Sequence, residues 1–104
     1  MQDLVRQAER AAAILKGRRA TVVVAESSTG GLISAALLAV PGASSYFLGG
    51  AVVYTRLARA SLLDIPDAAM AGMRAATQAY AVLLEERALP RTKKESVLLA
   101  LAAA

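Results

Sequence analysis

The sequence has no cysteine, no histidine and no tryptophan in its 104 residues. Without cysteine there is no disulfide framework, no thiolate nucleophile and no thiolate-bound metal. Without histidine there is no imidazole base or ligand, so a Ser-His-Asp triad cannot be assembled from this chain. Neither a metal nor another cofactor is expected. Aromatic residues make up only 4%, while hydrophobic residues reach 57% and mean hydropathy is +0.49. Much of that apolar content is alanine, which buries little area per residue. The composition therefore predicts close helix packing around a thin core, supplemented by a subunit interface, so a homo-oligomer is expected. The length suits one small domain over residues 1–104, and the missing disulfides fit a cytoplasmic setting.

Charge is also absent over a long stretch. No side chain from Ser27 to Thr55 is charged, which is long enough to span a bilayer. Gly30, Gly31, Pro41, Gly42, Gly49 and Gly50 interrupt it, and Val40-Pro41-Gly42-Ala43 is a turn signature. Two shorter buried elements are expected there instead of a membrane span. Asp3, Arg6, Glu9 and Arg10 leave no signal-peptide apolar region at the start.

The net charge is +4 and the pI is near 10.0. The basic residues are dispersed apart from Lys16–Arg19 and Arg91–Lys94, and neither cluster is interleaved with aromatics. They read as solvated helix ends, and nucleic acid is not expected as a partner.

Leu4, Val5, Ala8, Ala11, Ala12 and Leu15 recur at helical spacing, predicting an amphipathic helix over 2–16 with Gly17 as its stop. Thr21–Ala25 is a β-branched run without alternation, the pattern of a strand covered on both faces. A helix is expected over 32–39, a second strand over 49–54 and a short helix over 56–63. Asp67 is expected to cap a helix running to Met73, and Thr77 another over 78–89. Thr92 and Glu95 have capping-box spacing and favour a helix for Ser96–Leu101, although that run reads equally as a buried strand. Leu37, Leu38, Leu62, Leu63, Leu98 and Leu101 are expected at an apolar surface. The alternation of buried strands with helices makes the class α/β, rich in helix.

The segment with chemical content is Ala25-Glu26-Ser27-Ser28-Thr29-Gly30-Gly31. A buried strand ends in small hydroxyl residues, two glycines permit a tight bend, and a helix begins. A helix start offers unpaired N–H groups and partial positive charge, which suit a phosphate or a developing oxyanion. Ser27, Ser28 and Thr29 add hydroxyls that can bind the same anion or act as a nucleophile. The alternative reading is that a hydroxyl merely caps the helix. Known phosphate-loop, dinucleotide and nucleophile-elbow motifs do not match.

The segment resembles the AES[CS]TGG signature of the CinA C-terminal domain family, the nicotinamide-nucleotide amidohydrolases. The similarity continues through Val40–Ser44, Tyr46-Phe47, Gly49–Thr55, Ala58-Arg59 and Leu62–Pro66, covering roughly Leu4 to Leu84. It implies CinA-like α/β/α layers and hydrolysis of the amide of nicotinamide mononucleotide with release of ammonia. On the matching positions the resemblance implies Ser27 as the nucleophile and Tyr54 as its tyrosine partner, and Arg59 stands where the family has lysine. Arginine stays protonated, with a pKa above about 12, and is a poor base. Glu26, Ser28, Thr29, Gly30 and Gly31 would line the nucleotide site. Since neighbours on a strand point to opposite faces, Glu26 is also expected to cap or to bond backbone.

The resemblance also implies a further strand, a glycine-rich turn and a second basic residue, and none of these is expected in this sequence. The sheet is therefore expected to be reduced, with residues 85–104 a divergent tail. Two other roles stay open: a nucleotide- or phosphate-binding module without turnover, and a structural paralogue acting as an oligomer.

Overall fold

The computed structural model describes residues 2–72, 83, 84, 87 and 96–101. The chain opens with helix α1 (Gln2–Arg18), whose Ala8, Ala12 and Leu15 are buried. Gly17 does not stop it. The helix runs through that glycine and ends where Arg19 turns left-handed at φ 54°, with the Ala20 amide reaching back to the Leu15 carbonyl at 2.9 Å. That long return bond closes the last turn, so the break falls two residues later than the glycine suggests.

Strand β1 (Thr21–Glu26) follows, then helix α2 (Leu32–Leu38), a 3₁₀ turn at Ala43–Ser45 and strand β2 (Phe47–Val52). Helix α3 covers Arg56–Leu63, as expected; its first turn is capped by the Thr55 hydroxyl, which accepts from the Ala58 amide at 3.1 Å. A second 3₁₀ turn spans Asp67–Met70, and strand β3 covers Ser96–Leu101.

Three further expectations need correction. Strand β2 begins two residues early because Phe47 pairs with Val22, with an irregular register between Val22 and Val23. Tyr54 consequently lies beyond the strand. Asp67 does not cap a helix to Met73: the turn ends at Met70, and the Asp67 carboxylate lies 3.7 Å from Arg56 on the surface. Ser96–Leu101 is a strand, not a helix. It pairs in parallel with β1 along its whole length, and a continuous ladder outweighs the local capping signal. The helix expected over 78–89 lies largely outside the described residues; Leu83, Leu84 and Arg87 within it are helical.

The sheet order is β2-β1-β3, all parallel. β1 is central, and its side chains alternate between two cores. Val22 and Val24 pack with Ala8, Ala12, Leu15, Ala36 and Leu37 from α1 and α2. Val23 and Ala25 pack on the other face with Val53, Leu63, Ile65 and Leu84. Helices thus cover both faces, giving the expected three layers. Leu37 and Leu63 are core residues, whereas Leu38 and Leu62 are exposed. Tyr46 is fully buried, and its hydroxyl donates to the Leu37 carbonyl. Among the described residues no helix is long and apolar enough to cross a membrane.

Candidate functional site

Parallel strands bring their carboxyl ends to one edge of the sheet, where such folds bind ligands. Here that edge carries the turn after β1 and the segment after β2. The two are tied by the Val53 amide, which donates to the Glu26 carbonyl at 2.7 Å. Glu26 opposes Val52 in the ladder, so Ser27 and Tyr54 leave neighbouring strands within a residue or two of each other.

Glu26 is the best-defined group at this edge. It follows Val22 and Val24 onto the α2 face and is 0% exposed. Its Oε1 accepts from Thr29 Oγ1 at 2.8 Å, the Gly31 amide at 3.2 Å and the Ile33 amide at 3.0 Å. Its Oε2 accepts from the Ser34 amide at 3.0 Å and Ser34 Oγ at 2.7 Å. Burial alone pushes this carboxyl up, but bonds from the Ser34 hydroxyl, the Ser34 and Ile33 amides and the Thr29 hydroxyl outweigh it. The net effect holds Glu26 below the ordinary carboxylate range.

This network corrects the expectation of unpaired amides at the start of α2. Gly31, Ile33 and Ser34 donate to Glu26, Leu32 donates to the Thr29 carbonyl at 3.1 Å, and Ala35 begins the helical ladder on Gly31. The anion that the helix start attracts is the protein's own carboxylate. Glu26 therefore bonds backbone, as strand alternation suggested, and Thr29 turns toward it.

The three hydroxyl residues differ in exposure. Ser27 is 3% exposed and its carbonyl accepts from the Gly30 amide at 3.1 Å, whereas Ser28 is exposed. Gly30 and Gly31 adopt φ of 63° and 98°, a left-handed pair that side-chain-bearing residues rarely enter. Tyr54 is 71% exposed. Arg59 sits half-buried on α3, its carbonyl accepting from Ile65 at 3.0 Å.

Ser34 and Gly50 are parts of the site that sequence reasoning missed. A Cβ on Gly50 would collide with Ser34 Oγ, so this glycine in β2 makes room for the hydroxyl that bonds Glu26. A glycine pair inside a strand was the available signal of close approach. A cavity of about 170 Å³ lies elsewhere, between α1 and α2, lined by Leu4, Ala8, Ile33 and Leu37 among others.

The sequence profile of the CinA C-terminal domain matches residues 5–101. The chain belongs to the CinA C-terminal domain family. A CinA-like protein of Salinibacter ruber is 42% identical over 72 residues, covering 69% of this chain and 18% of that protein. Among solved structures, the competence/damage inducible protein CihA of Agrobacterium tumefaciens superposes with a TM-score of 0.78 at 30% identity, covering 88% of this chain and 55% of that one. The competence damage-inducible protein A of Klebsiella pneumoniae gives a TM-score of 0.77 at 24% identity, covering 85% of this chain and 55% of that one, and shares the fold. This CinA domain thus spans about half the length of these solved relatives and under a fifth of the curated one.

Proposed function

We propose that this CinA domain is an amidohydrolase of nicotinamide mononucleotide, with Ser27 as nucleophile. The reading is supported by the ladder register that opposes Glu26 to Val52, so that Ser27 and Tyr54 both follow the carboxyl ends of neighbouring strands. In this reading Ser27 Oγ attacks the carboxamide carbon and the C–N bond breaks. The serine proton leaves on the nitrogen as ammonia, and water then hydrolyses the ester to nicotinate mononucleotide. Arg59 offers a permanent positive charge to the oxygen that becomes negative. Tyr54 supplies the hydroxyl for proton transfer in this reading. The exposed Ser28 and the Gly30–Gly31 turn form the rim against which the nucleotide phosphate rests.

Ammonia release from nicotinamide mononucleotide, abolished by Ser27→Ala, is the expected result; a folded protein with no turnover overturns the reading. Because arginine cannot take a proton, Arg59→Lys is expected to raise kcat by about 10²-fold or more, the usual contribution of a positioned base. A second reading, nucleotide binding without turnover, is favoured by Arg59 itself. It predicts no ammonia but stabilisation of about 2.7 kcal/mol at a ligand concentration 100-fold above Kd. A homo-oligomeric state is part of the same proposal: Leu38, Leu48, Leu57 and Leu62 are each about half or more exposed, and light scattering across a dilution series reads it.

A further inference from the structure

A carboxylate buried without water is ordinarily costly, and it persists only where donors saturate it. Glu26 has five, drawn from three successive pieces of chain: the turn (Thr29), the left-handed glycine pair (Gly31) and the first turn of α2 (Ile33, Ser34). Ser27 lies between Glu26 and that turn, and its carbonyl is held by Gly30. The residue immediately before the nucleophile therefore grips the segments immediately after it. Strand β2 brings in a fourth piece of chain, since Gly50 leaves the space that Ser34 Oγ fills.

We infer that Glu26 is the positioning residue of the Ser27 turn, its carboxylate acting as the built-in anion of α2 and its Ser34 bond, cleared by Gly50, locking that turn to the sheet. The role of Ser27 rests on the reading given above, whereas the locking of the turn does not. Glu26 touches no reacting atom; it fixes where the Ser27 hydroxyl stands. The network also occupies the helix start, so a substrate phosphate has to be received on the rim and not on the α2 amides. Glutamine at this position keeps the shape but replaces one acceptor oxygen with an NH₂ facing the Ser34 amide. Aspartate keeps the charge on a side chain one methylene too short. A nucleophile displaced by about 1 Å is enough to lose 10²-fold in rate.

The test compares Glu26→Gln and Glu26→Asp with the unaltered chain in two measurements. Steady-state ammonia release from nicotinamide mononucleotide is expected to show kcat reduced about 10²-fold, with KM within threefold. Amide hydrogen exchange is expected to be at least tenfold faster at Gly30, Gly31, Ile33 and Ser34 in Glu26→Gln, while the β1 amides of Val23 and Val24 stay protected. Unchanged exchange at Gly31, Ile33 and Ser34 overturns the built-in anion. Faster exchange there with Gly30 still protected, or with kcat intact, overturns the positioning role and leaves only a helix cap. If the unaltered chain releases no ammonia, the amidohydrolase reading fails. The exchange pattern at Gly30 then decides the locking of the turn alone.

Discussion

At Arg19 and Asp64 the backbone takes φ of 54°, the left-handed region that a Cβ disfavours. Each residue ends a helix, where a left-handed conformation lets the chain turn back and satisfy the last carbonyls. Because glycine enters this region without that steric cost, Arg19→Gly is expected to stabilise the domain by about 1 kcal/mol, read as a rise in melting temperature. Loss of stability would show that the Arg19 side chain contributes more than its backbone strain removes. Ser27 and Glu26 show the same dependence of role on conformation. They are adjacent in sequence, yet one is the candidate nucleophile and the other a saturated carboxylate, because a strand sends neighbours to opposite faces. The alternation was legible from the residues. The partners of Glu26 were not, since Ser34 lies eight positions away and reaches it only through the bend.

Among the elements, α2 and β2 approach closely where Ser34 Oγ stands over Gly50. A double-mutant cycle reads this contact directly. Gly50→Ala alone is expected to destabilise by about 1–3 kcal/mol through overpacking. In a Ser34→Ala background the same change should cost far less, because the obstructing oxygen is gone. Equal costs in both backgrounds would show that the sheet yields elsewhere. The elements themselves were legible to differing degrees. Helix α3 carries its own signals, a threonine cap and a short amphipathic stripe, and its bounds match expectation. Strand β3 carries conflicting ones: a capping-box spacing ahead of an apolar run. Its pairing with β1 depends on a hydrogen-bonding edge 75 residues earlier in the chain, which no local window contains.

For the whole molecule, the depressed Glu26 carboxyl links stability to pH. A group whose folded pKa lies below its ordinary value, near 4.5, adds stability above that value. The contribution is lost as pH falls through the folded one. Glu26→Gln is therefore expected to be less stable than the unaltered chain by about 2–4 kcal/mol at pH 7. The gap should hold down to about pH 5 and narrow below it. Denaturant titrations at pH 7, 5 and 3 measure this, and a gap that does not narrow in acid would mean that shape, not charge, is what glutamine fails to reproduce. Among the described residues, three parallel strands between helical layers leave β1 as the shared member of both cores. A fault at its end consequently reaches the entire domain.

The α/β class, the buried first strand, the bend at Gly30–Gly31, the third helix and the family of the chain were all readable from the order of residues. All of these follow from patterns within a few residues: β-branched runs, glycines where the backbone turns left-handed, and a motif of fixed spacing. That β3 is a strand, that β2 starts at Phe47 and that the start of α2 is occupied from within emerged from the folded arrangement. Those outcomes depend on which distant groups compete for the same hydrogen bonds. A helix start draws whichever negative charge stands nearest, and folding places the Glu26 carboxylate there.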